Sequence, residues 1–130
     1  QHQKNAFAIA KWLQKQLRVQ YVLYPGLENH PGYVINKAQT TSFGGMISFA
    51  VDNAETARQI LEGVKLIKFA ESLGGTESLI TYPIRQTHTD LTAEECAEKG
   101  ITDCLLRFST GIEATQDLID DLAQAFAVIE

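Results

Sequence analysis

The sequence is short of cysteine and of basic side chains, and each shortage removes a class of explanation. Two cysteines in 130 residues, Cys96 and Cys104, make a poor disulfide framework, and their spacing matches no strong metal-ligand pattern. Reduced thiols in a cytoplasmic protein are the expectation, with no metal site. Lys and Arg total 11 against 16 Asp and Glu, a formal net charge of -5 spread along the chain. A general nucleic-acid surface is therefore disfavoured. No stretch approaches the roughly 18 apolar residues of a membrane span, and no basic-then-apolar leader opens the chain. Neither an internal repeat nor a low-complexity segment is evident. What is plentiful is apolar material, 45% of a length that suits one domain, so a packed core is expected over residues 1–130. Residue 1 is Gln and the helical pattern begins at once, which suggests a piece of something longer.

Hydrophobic spacing organises the chain. Phe7, Ala10, Leu13 and Leu17 recur at helical intervals over 5–17. A short strand over 19–24 is stopped by Pro25 and Gly26, and a helix follows His30 with Pro31 in its first turn. Residues 46–51 read as a strand after Gly44 and Gly45. Asp52 or Asn53 can cap the next helix, which ends at Gly63. Strands are expected over 64–69, 79–82 and 104–109. Thr92 followed by Glu95 forms a capping box for a helix over 93–99. The last segment places Leu118, Leu122, Ala125, Phe126 and Ile129 on one helical face, with Asp117, Asp120 and Asp121 near the start where the helix dipole favours negative charge. The order predicts an α+β fold: a mainly antiparallel sheet of four or five strands with helices on one face, the other face free to meet a partner.

Three places carry candidate chemistry. Arg107 sits among Leu105, Leu106 and Phe108 in a strand, where a permanent charge needs an anion or a polar network. Its planar fork suits a carboxylate, and an arginine at a sheet edge or in a structural ion pair is the plainer alternative. In the stretch around Gly74 and Gly75, the turn offers exposed N–H groups, Ser72 and Ser78 offer hydroxyls, and Glu71 could receive a cation. This can be a binding loop or simply a turn between strands. His88 can act as base, ligand or conformational post, and Thr87 beside it can hydrogen-bond a phosphate or carboxylate. No complete set of nucleophile, base and orienting group is assembled.

The residues that carry a resemblance are Ala70-Glu71-Ser72-Leu73-Gly74-Gly75-Thr76-Glu77-Ser78-Leu79, then Gln86-Thr87-His88, then the run from Gly100 through Arg107 to Glu113. Tyr24-Pro25-Gly26-Leu27, His30-Pro31 and Phe43-Gly44-Gly45-Met46 extend it over nearly the whole chain. The sequence resembles the C-terminal domain of the pyridoxal-phosphate-dependent trans-sulfuration enzymes, the Cys/Met metabolism family.

The resemblance implies the small C-terminal domain of a fold-type-I enzyme whose cofactor, pyridoxal phosphate, is held by a larger upstream domain outside this chain. Arg107 would bind the substrate carboxylate with help from Ser72. Thr87 would line the pocket, Glu71 would lie near the distal end of the substrate, and His88, Gly74 and Gly75 would support the local structure. Having no cofactor lysine, the isolated chain would be inactive. The parent would be a homotetramer acting on a sulfur-containing amino acid. Leu79 to Pro83, together with Gln86-Thr87-His88 and Leu105 to Ser109, leans towards cystathionine beta-lyase-like elimination. Gamma-replacement, as in cystathionine gamma-synthase or a homoserine sulfhydrylase, is the alternative, and a stand-alone amino-acid-binding or interaction module is the competitor from another class.

Overall fold

A computed structural model describes residues 1–86 and 88–129. Among these described residues six helices and five strands follow in the order α1 (His2–Leu13), β1 (Val19–Leu23), α2 (Tyr33–Gln39), β2 (Met46–Val51), α3 (Ala54–Gly63), β3 (Lys68–Phe69), β4 (Leu79–Thr81), α4 (Pro83–Gln86), α5 (Ala93–Glu98), β5 (Leu105–Ser109) and α6 (Thr115–Ala127). The strands form one sheet in the order β1-β2-β5-β4-β3.

Alternation along the strands divides the sheet into two faces. Val22, Ile47, Phe49, Val51, Ile80, Leu106 and Phe108 point to one side and are buried against α1, α3 and α6. Each large apolar side chain removed from water there contributes about 1.5–3 kcal/mol. Trp12 and Phe126 lock α1 to α6 edge to face, with ring centroids 5.5 Å apart. No helix among the described residues is long and apolar enough to cross a membrane.

Several expectations shift in detail. The sheet is mixed: β1-β2, β2-β5 and β5-β4 are antiparallel, whereas β3 runs parallel to β4. The strand expected over 64–69 shrinks to Lys68–Phe69 because a side chain takes the backbone donors before it. The buried Asp121 carboxylate accepts from the N–H groups of Lys65 (2.8 Å), Leu66 (3.0 Å) and Ile67 (2.8 Å). Asp121 thus clamps a distant segment and does not serve the helix dipole. Asp121→Asn removes the charge and one of the accepting oxygens, so about 1–3 kcal/mol of stability should be lost, read as a lowered midpoint in urea unfolding.

Helix α1 stops at Leu13, so Leu17 falls in the following turn and is fully exposed; the buried stripe is Ala6, Ile9, Ala10 and Leu13. Pro31 lies before α2, whose cap is Gly32. Its N–H donates to His30 Nδ1 at 3.0 Å. Asn53, not Asp52, caps α3 by accepting from Thr56 N at 2.8 Å. The capping box of α5 forms as expected. The turn α4 had no signal in the hydrophobic pattern; the Gln86 side chain reaches back to accept from Tyr82 N at 2.7 Å.

Candidate functional site

The face of the sheet away from α1, α3 and α6 carries a polar row. Arg107 in β5 stands opposite Ser48 in β2 and Thr81 in β4, so three strands present these side chains on one line. Arg107 is half-buried, and its Nε is shielded from solvent with no hydrogen-bond partner among the described residues. Nη2 reaches the Thr81 hydroxyl at 3.5 Å. The ion pairs among the described residues join Arg18 to Asp52 and Arg58 to Glu55 and Glu62, and leave Arg107 out. The guanidinium is a cation partly stripped of water with most of its donor capacity unspent, which favours an anion beside it.

Parallel pairing of β3 with β4 brings a loop to this row. Because both strands run the same way, the chain leaving Phe69 must travel back before entering Leu79, and two side chains on the Arg107 face hold the return. At its root, the Thr81 hydroxyl donates to the Ala70 carbonyl at 2.7 Å. Further along, Gly74 N donates to Ser109 Oγ at 2.8 Å. Glu71 and Ser72 lie between these two anchors and are exposed. Gly74 adopts φ +77°, a conformation that favours glycine.

The far end of the loop is fixed by a junction of residues that the hydrophobic pattern did not single out. Glu113 accepts from Ser78 N (2.6 Å) and Ser78 Oγ (2.8 Å), while Ser78 Oγ accepts from Gly111 N at 2.8 Å. Asn5, fully buried in α1, donates to the carbonyls of Gly111 and Glu113 and accepts from the Thr115 hydroxyl. Gly111 packs so closely that a β-carbon there would overlap the Thr76 carbonyl oxygen and the Glu77 backbone. Sequence signals for this junction were the Ser78 hydroxyl and the Gly-x-Glu run after β5, and nothing in the sequence joined them to Asn5.

The remaining candidates are more dispersed. His88 is half-buried; its N–H donates to the Pro83 carbonyl at 3.0 Å, and its carbonyl accepts from Leu91 N at 3.3 Å. Thr87 lies outside the described residues. Gly75 sits against the Glu77 carboxylate. Burial, with Asp103 adjoining, pushes the Cys104 thiol up, so it is protonated near neutral pH and a weak nucleophile. Among the described residues no cluster of His, Cys, Asp or Glu could hold a metal ion. A cleft of about 440 Å³ beside Phe7, Tyr33 and Phe43, and a groove of about 520 Å³ between α3 and β3, contain neither Arg107 nor Ser72.

Residues 1–127 match the family described as Cys/Met metabolism PLP-dependent enzyme. The chain belongs to that family. A cystathionine gamma-lyase from Dictyostelium discoideum is 50% identical over 125 residues, 95% of this chain and 32% of that protein. A cystathionine beta-lyase from Lactococcus lactis subsp. cremoris is 45% identical over 124 residues, covering 95% and 33%. The crystal structure of cystathionine gamma synthase from Xanthomonas oryzae pv. oryzae, in complex with aminoacrylate and cysteine, superposes with a TM-score of 0.92 at 44% identity, covering 97% of this chain and 33% of that one. The chain thus spans about a third of the length of these relatives.

Within this Cys/Met metabolism domain, the residues present suit one side of the chemistry. A lysine that forms an imine must lose its proton, which burial promotes. All seven lysines here are exposed. Lys11 and Lys37 lie over the rings of Phe7 and Tyr33, and Lys68 Nζ donates to the Lys65 carbonyl. They do not fit covalent attachment of pyridoxal phosphate. The Arg107 row and the Ser72 loop fit an anion instead.

Proposed function

We propose that residues 1–130 form the substrate-carboxylate side of a larger pyridoxal-phosphate-dependent enzyme acting on carbon–sulfur bonds, with the cofactor lysine supplied by a domain upstream. The observation that carries this reading is the desolvated Nε of Arg107, which has no hydrogen-bond partner among the described residues, on the sheet face opposite α1, α3 and α6. The parent is taken to be a homotetramer of the cytoplasm. A stand-alone binding module would need its own enclosed pocket lined by Arg107, and neither of the two cavities described above contains it.

When bound, the cofactor supplies an electron sink for a carbanion at the substrate Cα. The part of this chain is positional. The Arg107 fork takes the α-carboxylate in bidentate geometry, Ser72 adds a hydroxyl donor from the loop, and Thr87 lines the same pocket. Holding the carboxylate at a fixed place selects which Cα bond faces the cofactor. Glu71, one residue towards the loop root, stands at the distal end of the substrate and biases preference there.

Cystathionine beta-elimination is the first reading of the reaction. Gamma chemistry is the second, favoured by the 50% identity to a cystathionine gamma-lyase. Mass spectrometry of products from the full-length, cofactor-loaded protein separates them. Pyruvate with homocysteine from cystathionine is expected. Cysteine with 2-oxobutyrate would replace the first reading by gamma-elimination, and cystathionine formed from activated homoserine and cysteine would replace it by gamma-replacement. Turnover of none of these would overturn the assignment.

A further inference from the structure

We propose that Thr81 is a positioning residue that couples the Arg107 guanidinium to the root of the substrate loop. The inference rests on reading Arg107 as the carboxylate anchor. Thr81 is 1% exposed, so its hydroxyl has no water to fall back on. That hydroxyl has one proton, and it is given to the Ala70 carbonyl at 2.7 Å. Oγ1 is therefore left as an acceptor, and the facing group is Arg107 Nη2, which can only donate. The direction of both bonds is fixed by chemistry.

The register makes the arrangement specific. Thr81 stands directly opposite Arg107, so the two side chains leave the sheet side by side on the same face. Ala70 is the first residue after β3 and precedes Glu71 and Ser72. A single buried hydroxyl thus touches both parts of the carboxylate site, the guanidinium and the loop that brings the serine. At 3.5 Å the bond to Nη2 is long. It biases the orientation of the fork while leaving the donors free for an anion.

The test uses the full-length, cofactor-loaded protein and calorimetric binding of two amines that carry no leaving group and so cannot undergo elimination. L-norvaline carries the carboxylate and butylamine is its counterpart without one. Thr81→Val is expected to weaken L-norvaline binding about tenfold, the scale of one lost hydrogen bond, with butylamine unchanged. Thr81→Ser, which keeps the hydroxyl, should stay within about threefold of the parent. In an Arg107→Ala background, adding Thr81→Val should change nothing further, since the group it orients is gone.

Wild-type binding of L-norvaline by Thr81→Val, beside weakened binding by Arg107→Ala, would overturn the role of Thr81 alone. So would an undiminished Thr81→Val effect in the Arg107→Ala background, or an equal loss of butylamine binding. Unchanged L-norvaline binding by Arg107→Ala would instead overturn the carboxylate reading beneath it. Should Thr81→Val fail to fold, Thr81→Ala carries the same expectations. Failure of both to fold would assign Thr81 to stability and overturn the proposal.

Discussion

Arg107→Ala in the full-length protein is expected to lower kcat/KM for its amino-acid substrate by about 100- to 1,000-fold, the scale of truncating one partner of a desolvated charge pair. Folding and cofactor absorbance should be nearly unchanged. Two observations require that combination. Arg107 is in no ion pair among the described residues, and its Nε has no partner, so removing the side chain leaves no internal charge unpaired. Its hydrogen-bond partner among the described residues, the Thr81 hydroxyl, keeps its shorter bond to Ala70. Arg107→Lys should recover only part of the loss, because an ammonium is a point charge and cannot make the paired contacts of the planar fork. Steady-state kinetics beside absorbance and thermal melting would check all three statements. Loss of cofactor and activity together in a folded protein would contradict the assigned role.

The second large effect is expected at a residue that the proposed site does not contain. Gly111→Ala places a methyl group into the Thr76 carbonyl oxygen and the Glu77 backbone, neither of which can rotate aside as a flexible side-chain end can. Overpacking against backbone should cost about 3 kcal/mol and lower the thermal midpoint by about 10 °C. The same methyl group pushes on the Ser78 and Glu113 junction that closes the 70–78 loop. Turnover at temperatures where the variant is still folded should therefore fall through KM more than through kcat. Gly44→Ala makes a useful comparison. Its φ of +74° strains the backbone, but a β-carbon there meets nothing within 4 Å, so a loss of about 1 kcal/mol with unaltered KM is expected.

These two expectations mark the boundary of what the sequence discloses. Arg107 was legible because a strand alternates: a guanidinium between Leu106 and Phe108 must leave the sheet on the face opposite theirs, and it does. The capping box at Thr92 and the core face of α6 were legible for the same local reason, since cap and periodicity are written within a few residues. The parallel course of β3 was not. Nor was its length: Asp121, more than fifty positions away, takes the N–H groups of residues 65–67 and reduces an apolar run to a two-residue strand. Asp121 itself read as a dipole residue because three aspartates stand close together and only the fold distinguishes the buried one. The junction at Asn5, Ser78, Gly111 and Glu113 joins residues up to 108 apart, and no periodicity connects them. Local alternation placed Arg107 on its face, while the frame that holds the 70–78 loop beside it draws on contacts distant in sequence.

The account is tested most directly by a crystal structure of the full-length, cofactor-loaded protein with an unreactive amino acid bound. Both carboxylate oxygens should lie within about 3 Å of Arg107 nitrogens, with Ser72 Oγ donating to one of them. A carboxylate held by other residues, with the Arg107 face covered by apolar side chains from the rest of the protein, would contradict it.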